Sequence, residues 1–284
     1  MILVTGATGK TGGDLARRLA AGGAAVRTVA RNAEKAQALR AAGIEVVAGD
    51  ATDAALLATA MRGVQKLVVI FPNGPAQLGL EKGVVDAAVS AKVQHIVKLS
   101  SMEALPGATN AVHRAHNESE AHIRASGIAW TMVRPNFFLQ NFFGNAHSIK
   151  TEGKFSLPMG NGVQVMTDVR DVGAFLQHVV TTAGHSGQSY DVTGPKVMTF
   201  AEVAAAFSEA LGKKVEYIDQ DPVSYKAHLG KFVTNPWHLD AVCDIFREIR
   251  EGYTPHATDT FQRIMERPPT STQQFVADYR ALFS

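Results

Sequence analysis

A glycine-rich turn between an apolar run and a helix-like segment lies at the start of this chain. Residues 2–5 are mostly apolar, glycines follow at positions 6, 9 and 12, and residues 14–20 are rich in alanine and leucine. In this order of elements, the glycines permit a tight turn, a close backbone approach to a pyrophosphate, and close helix packing. The helix N-terminus attracts the same anion through its N–H groups and its dipole. The pattern predicts a dinucleotide site; the alternative is an ordinary tight turn without a ligand.

Strand-like and helix-like segments alternate through the first half of the chain. Further strand-like runs are predicted at residues 26–30, 45–48, 66–71, 95–99 and 130–133. Helix-like segments are predicted at residues 13–22, 33–42, 54–61, 79–92 and 111–126. Such alternation is typical of a parallel sheet with crossover helices, and the nearly continuous apolar runs at 66–71 and 95–99 suit strands covered on both faces. We therefore predict an α/β fold, a Rossmann doubly wound parallel sheet.

The amino-acid composition changes after Pro135, where aromatic and asparagine residues become frequent. A helix at 169–182 and a strand at 189–193 are expected to return to the sheet, and the chain beyond residue 194 is mostly helix-like. We predict a Rossmann domain formed by residues 1–135 and 163–195. Residues 136–162 and 196–284 are predicted to form a smaller, mostly helical substrate-binding domain.

Composition limits the classes of partner. The 284 residues carry a formal net charge of only +2, which gives no indication of nucleic acid or an anionic membrane as a partner. Cys243 is the single cysteine, and no cysteine–histidine spacing suggests a metal site. No apolar run reaches the length of a membrane span, and a first strand at residue 2 leaves no room for a signal peptide, so a cytoplasmic location is expected. The expected partner is a small molecule, and the oligomeric state stays open, a homodimer included.

Cationic residues follow the second predicted strand, where NAD-preferring folds carry an acidic side chain for the ribose hydroxyls. Arg31 and Lys35 cannot accept those bonds, but they suit a 2′-phosphate, so NADP is expected and NADPH is favoured over NADH. Asp50 could accept from the adenine amine or cap the next helix, and Phe71 and Pro72 would line the middle of the cofactor. The turn residues expected to contact the cofactor are Gly6, Thr8, Gly9, Lys10, Thr11 and Gly12.

Several segments together resemble the NmrA-like proteins, which are atypical short-chain dehydrogenases/reductases. The segments are residues 4–9, 29–32, 49–50, 127–138, 168–172 and 190–195. The resemblance covers nearly the whole chain and points to the bacterial branch of NADPH quinone oxidoreductases, triphenylmethane dye reductase and an NADPH azoreductase. It implies a Rossmann domain, a small C-terminal substrate domain and NADPH as hydride donor. The branch also includes sensors that bind dinucleotides without turnover.

One departure from the wider superfamily concerns the chemistry. Ser100 and Ser101 occupy the position of the usual serine after the fifth strand. Ser100 is expected to contact the cofactor, and so is Pro135 at the end of the sixth strand. The helix at 111–126 lacks the usual tyrosine-x-x-x-lysine pair. Alcohol–ketone interconversion is therefore in doubt.

His113 and His116 are the candidate proton donors, because imidazole titrates near neutral pH. They share a helix face, and Glu120, four residues beyond His116, could orient it. With Ser101, which is expected to touch the nicotinamide or the substrate, they form the predicted catalytic set. The alternative is that this helix face is merely a polar surface.

The segment after the sixth strand leaves the sheet at its carboxyl end, where ligands of open α/β sheets bind. Its aromatic and amide side chains could form a wall for a flat acceptor, although core packing explains at least half of the aromatics equally well. The predicted substrate-binding residues are Asn136, Phe137, Phe138, Asn141 and Trp237.

The sequence predicts an NADPH-dependent reductase that passes hydride to a planar, electron-poor aromatic acceptor such as a quinone, an azo compound or a dye. Such an acceptor needs little more than placement beside the nicotinamide. Two alternatives stay open: a redox sensor that binds NADP without turnover, and a reductase or epimerase of a narrower metabolite.

Overall fold

Strands and helices alternate in the first part of the computed structural model, which describes all 284 residues. The strands are β1 (Ile2–Val4), β2 (Val26–Ala30), β3 (Glu45–Ala48), β4 (Lys66–Val69), β5 (His95–Leu99) and β6 (Ala129–Pro135). The helices are α1 (Lys10–Ala21), α2 (Ala33–Ala41), α3 (Ala54–Ala60), α4 (Gln77–Ser90) and α5 (Ala111–Ala125).

The rest of the chain adds short strands and eight further α-helices. A 3-10 helix (Leu139–Asn145) is followed by α6 (Ala146–Glu152), β7 (Lys154–Leu157), β8 (Val163–Val165), α7 (Val169–Thr181) and β9 (Gln188–Val192). The remaining elements are β10 (Val197–Thr199), α8 (Phe200–Leu211), β11 (Glu216–Asp219), α9 (Pro222–Leu229), α10 (Pro236–Arg250), α11 (Thr260–Met265), α12 (Thr272–Asp278) and α13 (Arg280–Phe283). None of the helices combines the length and the apolar run that crossing a bilayer would take.

The main sheet has the strand order β3-β2-β1-β4-β5-β6-β9. Parallel pairing joins its first six strands, and Ile2 of β1 lies opposite Val26 on one side and Lys66 on the other. The chain thus winds outward in one direction from β1 to β3 and in the other from β4 to β6. The predicted doubly wound α/β fold is confirmed, and its switch point lies between β1 and β4, where such sheets bind ligands.

An apolar layer between the sheet and its helices holds this arrangement together. Leu3, Val69 and Ile96 from the strands pack with Val84 and Ile123 from α4 and α5, and all five side chains are fully buried. Burying a side chain of this size contributes about 1.5–3 kcal/mol relative to leaving it in water. In β4, Leu67, Val68 and Val69 are all buried, as expected for a strand covered on both faces.

Two element boundaries differ from the sequence predictions. Helix α1 begins at Lys10 rather than at residue 13, because Gly9 is its N-cap and the following glycines are already helical. Strand β4 ends at Val69 rather than at Phe71, because the N–H of Ile70 donates to the hydroxyl of Thr5 (2.8 Å). Both differences lie next to the glycine turn.

The chain divides into two compact units: Met1–Pro135 with Val169–Asp191, and Asn136–Asp168 with Val192–Ser284. Residues 163–168 and 192–195, which we expected in the Rossmann domain, therefore belong to the second unit. The physical reason is strand pairing, since β8 pairs with β10 and Phe138 forms a bridge with Thr167. The second unit also contains the parallel pair β7–β11 beside its helices.

Candidate cofactor site and polar network

The glycine turn adopts the conformation that its glycines were expected to permit. Gly6 has φ +65°, in the left-handed region that favours glycine, and a Cβ there would collide with the carbonyl oxygen of Ile70. A Cβ on Gly12 would lie 2.5 Å from the carbonyl oxygen of Gly6. Helix α1 therefore approaches the turn at a distance that a side chain would prevent.

The N-terminus of α1 has the features of an anion cradle. Its N-cap, Gly9, is extended and provides no side-chain cap, and the first turn carries no acidic residue. A Cβ on Gly9 would meet only the carbonyl oxygen of Gly6 within 4 Å, at 3.3 Å. The space in front of this helix terminus is thus open on the protein side, which fits the pyrophosphate of a dinucleotide.

Arg31 and Asp50 lie together at the carboxyl ends of β2 and β3. The Arg31 side chain is 77% exposed, and its Nη1 lies 3.2 Å from an Asp50 carboxylate oxygen. Asp50 also accepts from the N–H of Thr52 (2.9 Å), and Asn32 accepts from the N–H of Lys35 (2.7 Å). An exposed pair of this kind is weak, so Arg31 keeps its capacity to bind a further anion.

Asp50 does not cap the next helix, which was one of its two predicted roles. Asp53 is the N-cap of α3, and its carboxylate accepts from the N–H groups of Ala55 and Leu56 (2.8 and 3.1 Å). The correction follows from spacing, since Asp50 lies three residues before the cap and closes its own turn at Thr52. Its predicted contact with adenine stays a prediction.

Three further predicted cofactor residues lie at the ends of β4 and β6. Phe71 is half-buried and Pro72 is exposed. Both directly follow Ile70, whose carbonyl oxygen accepts a hydrogen bond from the hydroxyl of Thr5. Pro135 is buried, and its carbonyl oxygen accepts from the N–H of Met102 (3.1 Å). All these positions lie at the carboxyl edge of the parallel strands, where the topology places the ligand crevice.

The two serines after β5 each donate a hydrogen bond to a carboxylate. The hydroxyl of Ser100 donates to Glu120 Oε1 at 2.6 Å, and the hydroxyl of Ser101 donates to the carboxylate of Glu103. Ser100 is buried and Ser101 is half-buried. Both are held by the protein before any ligand arrives.

Glu120 is the centre of a buried polar network. Its carboxylate accepts from Arg134 Nε (2.8 Å) and Arg134 Nη2 (2.5 Å), and from Arg124 Nη2 (2.8 Å). Burial alone would raise the pKa of Glu120, but the hydrogen bonds from Arg134 and Ser100 outweigh it, and the pKa lies below its usual value. The carboxylate is therefore held in its charged form.

The expected orientation of His116 by Glu120 is wrong. His116 instead lies in a second buried cluster, where the side-chain amide of Gln77 is 3.4 Å from its ring nitrogens. Beside it, Lys98 Nζ and a carboxylate oxygen of Glu81 are 2.7 Å apart, and both side chains are at most 1% exposed. Glu120 is unavailable to the histidine because two arginines and a serine occupy its oxygens.

The two histidines have lowered pKa values. Burial lowers the pKa of His113 from 6.5 to about 4. Burial, with the charges of Lys98 and His113, lowers the pKa of His116 well below 6.5. Both imidazoles are thus neutral at pH 7, and neither is an imidazolium acid there.

The predicted substrate residues lie in the second unit, in different environments. Phe137 packs edge-on against Phe200, with ring centroids 6.1 Å apart, so much of its ring belongs to the core of that unit. Asn136 is buried and Phe138, which precedes the 3-10 helix, is half-buried. Asn141 is exposed, and Trp237 is half-buried in the first turn of α10.

Sequence reasoning missed the residues that build the two buried clusters. Lys98 received no role, and Glu81, Gln77 and Arg134 were not considered. A signal was present for one of them, since Lys98 interrupts the apolar run of β5. Charged residues at such positions are rarely buried unless they are paired.

Comparison with known proteins finds relatives that match along the whole chain. Residues 1–250 match the sequence profile of the NmrA-like family. The whole chain is 32% identical to the NAD(P)H azoreductase of Xenophilus azovorans, covering 99% of it. It is also 34% identical to the (4-alkanoyl-5-oxo-2,5-dihydrofuran-3-yl)methyl phosphate reductase of Streptomyces griseus, and the match covers 99% of that reductase.

A solved structure extends the comparison to three dimensions. The Escherichia coli NADPH-dependent quinone oxidoreductase QOR2, complexed with NADPH, superposes with a TM-score of 0.88 at 27% identity, and the match covers 99% of this chain and 100% of that one. The likeness therefore runs through both units of the chain rather than through the nucleotide-binding sheet alone. This chain belongs to the NmrA-like family.

Proposed function

We propose that this protein is an NADPH-dependent reductase that delivers hydride to a planar, electron-poor acceptor, namely a quinone, an azo compound or a dye. The observation that carries the proposal is the cradle at the start of α1, with Arg31 in place of an acidic residue at the end of β2. The full-length likeness to an azoreductase and to an NADPH-bound quinone oxidoreductase supports it.

The residues of the first unit fit the cofactor. The N–H groups of Lys10, Thr11 and Gly12 would face the pyrophosphate, with Gly6, Thr8 and Gly9 shaping the turn, and Arg31 and Lys35 would bind the 2′-phosphate. Asp50, Phe71, Pro72, Ser100 and Pro135 would line the rest of the crevice. When bound, NADPH supplies the hydride.

The protein's own part in the reaction is binding and placement. The chain has no tyrosine on α5, and both histidines there are neutral, so no strong acid stands ready to protonate a ketone. An electron-poor acceptor does not need one, because its own electron deficiency drives the transfer. Protons for a quinone or an azo bond would come from water or from a modest donor, for which His113 and His116 stay the candidates, while Ser101 would touch the nicotinamide or the acceptor.

The acceptor would lie against Asn136, Phe137, Phe138, Asn141 and Trp237. We propose a small aromatic molecule as the partner, without nucleic acid or membrane, and a cytoplasmic location for the reaction.

The test is oxidation of NADPH, followed by absorbance, with a panel of quinones and azo compounds. We expect acceptor-dependent oxidation with NADPH well ahead of NADH. Arg31→Ala should weaken NADPH binding about tenfold and leave NADH unchanged, since it removes a charge-assisted contact to the 2′-phosphate. Arg40→Ala, an exposed arginine on α2, is the matched control. Saturable NADPH binding with no turnover of any acceptor would refute the reductase and favour a sensor.

A reductase of a narrower metabolite is the second candidate. It is favoured by the 34% identity to a reductase whose named substrate is a phosphate ester of a small oxygen heterocycle. Turnover of such a phosphate ester at a far higher kcat/KM than any quinone would select this candidate over the first.

A further inference from the structure

The hydroxyl protons of the two serines after β5 are already used in hydrogen bonds to carboxylates. Ser100 donates to Glu120 and Ser101 donates to Glu103, as described above. A serine hydroxyl has a single proton to donate and two lone pairs that accept. Once the proton is directed at a carboxylate, only acceptor capacity is left for a ligand.

For Ser100, the direction of this bond is fixed by the rest of the network. Glu120 is fully buried, and its two oxygens also accept from Arg134 and Arg124. A carboxylate surrounded by guanidinium donors stays ionised and cannot donate back to the serine. Releasing the Ser100 proton toward a ligand would break a charge-assisted bond, which is about twice as strong as a neutral one.

The backbone holds Ser100 in place as well. Its N–H donates to the carbonyl oxygen of Val133 (2.7 Å), so Ser100 and Arg134 lie side by side at the ends of β5 and β6. Arg124 in turn stacks over the ring of Trp130, 4.9 Å from its centroid. Neither the serine nor the carboxylate can turn without disturbing neighbouring elements.

We propose that Ser100 and Ser101 act toward ligands only as hydrogen-bond acceptors, and that Glu120 is the positioning residue that sets this polarity for Ser100. The inference rests on the proposed function and deepens it. The ligand group opposite the serines must be an N–H or O–H donor. Two sources have this chemistry: the carboxamide of the nicotinamide, and a hydroxyl or amino group on the acceptor.

This polarity would also disfavour plain ketones as substrates. Reduction of a plain ketone develops negative charge on oxygen and is favoured by a donor aimed at that oxygen. Serines that only accept offer no such donor. The site is therefore suited to acceptors that take hydride without it.

The first experiment compares cofactor analogues by direct binding. In the 3-acetylpyridine analogue of NADPH, a methyl group replaces the amide NH2, so the carbonyl is kept and the donor is lost. We expect wild-type protein to bind NADPH about three- to tenfold more tightly than this analogue, the range of one neutral hydrogen bond. Ser100→Ala or Ser101→Ala should bring that ratio close to one.

The second experiment examines the acceptor. The pair 4-hydroxyazobenzene and 4-methoxyazobenzene differs by one O–H donor. If the acceptor is the source of the donor, wild-type KM should be lower for the hydroxy compound, and the serine variants should lose the difference.

Ser119→Ala is the matched control for both experiments. Ser119 lies on α5 next to Glu120, is 1% exposed, and its hydroxyl makes no hydrogen bond. Its removal should change neither ratio. Circular dichroism would verify that each variant is folded.

Glu120→Gln tests the positioning role. An amide NH2 is least unfavourable at the Oε1 position, which faces Ser100 and one guanidinium N–H, because the Oε2 position faces two guanidinium groups. From there it would donate to Ser100 and release the serine proton toward the ligand. We expect the preference for NADPH over the acetylpyridine analogue to fall or reverse in this variant.

The outcomes separate this inference from the proposed function. If the serine variants bind NADPH and keep both wild-type ratios, the serines do not accept from a ligand and the inference is overturned. If Glu120→Gln alone keeps the wild-type ratio, its positioning role is overturned. Failure of the wild-type protein to bind NADPH would instead remove the proposed function itself.

Discussion

The imidazole of His113 shows how burial decides what a residue can do. An exposed histidine is partly protonated at pH 6.5, but burial lowers the pKa of His113 to about 4. The side chain that the sequence offers as a proton donor is therefore neutral throughout the physiological range. The same holds for His116, which lies beside Lys98 in a buried cluster.

The lowered pKa of His113 predicts a pH-dependent stability. The folded-state pKa of about 4 lies below the unfolded value of 6.5, so the unfolded chain takes up the proton first as the pH falls. The stabilisation is present above pH 6.5 and is lost between pH 6.5 and 4. Lowering the pH from 7 to 5 should therefore reduce the free energy of unfolding by about 2 kcal/mol through His113.

Urea denaturation at both pH values measures this loss. His113→Gln should lose about 2 kcal/mol less than wild type over the same interval. His147→Gln, at an exposed histidine, is the control and should behave as wild type. An identical loss in His113→Gln and wild type would contradict the prediction.

At the scale of elements, the junction of β1 and α1 depends on the absence of side chains. Gly6 takes a left-handed conformation, and Gly12 brings α1 against the turn. Thr5 reinforces the junction by bonding both the N–H and the carbonyl oxygen of Ile70. The helix start is thereby placed at the switch point of the sheet.

Gly12→Ala should therefore be destabilising although alanine is the better helix former. Its Cβ would lie 2.5 Å from the carbonyl oxygen of Gly6, and relieving that clash costs about 1–3 kcal/mol. Gly79→Ala, in α4 with nothing within 4 Å of the new Cβ, should instead stabilise by up to about 1 kcal/mol. Thermal unfolding of both variants would decide, and NADPH affinity should fall only in the first. Equal effects of the two substitutions would show that close packing at Gly12 is unimportant.

At the scale of the whole molecule, a buried ion pair makes stability depend on charge inside the first unit. Lys98 of β5 and Glu81 of α4 are paired at 2.7 Å with almost no exposure. Removing one partner leaves the other charge buried without a counterion, whereas removing both can be nearly neutral. Losing one member of this pair should therefore destabilise the packing of α4 against β5 more than losing an apolar contact would.

Lys98→Met is expected to lower the unfolding free energy by about 3–5 kcal/mol. The double variant Glu81→Gln/Lys98→Met should recover most of that loss, because no charge is left buried. Lys226→Met, which breaks the exposed pair with Asp240, should cost less than about 1 kcal/mol. Urea titrations of the three proteins provide the comparison, and a double variant no more stable than Lys98→Met would rule out charge burial as the cause.

Local patterns were sufficient to predict much of the fold. The bounds of β2, β3 and β5 agree with their apolar runs. The glycine spacing located the turn, because the left-handed conformation of Gly6 is a local preference of glycine. Domain boundaries were less accurate near residues 163–168, where pairing with a strand thirty residues later decides the assignment. Pairing over such a distance leaves no local signal.

By itself, the sequence determined the alternation of strands and helices, the glycine turn and the cationic end of β2. These follow from side-chain size, backbone freedom and charge at single positions. Only the tertiary structure decided which side chains meet: that Glu120 binds Ser100 and two arginines rather than His116, and that Lys98 pairs with Glu81. Those partnerships join strands and helices far apart in the chain, and burial then sets the charge of each group. What the carboxylates and histidines can do is therefore a property of the packed molecule.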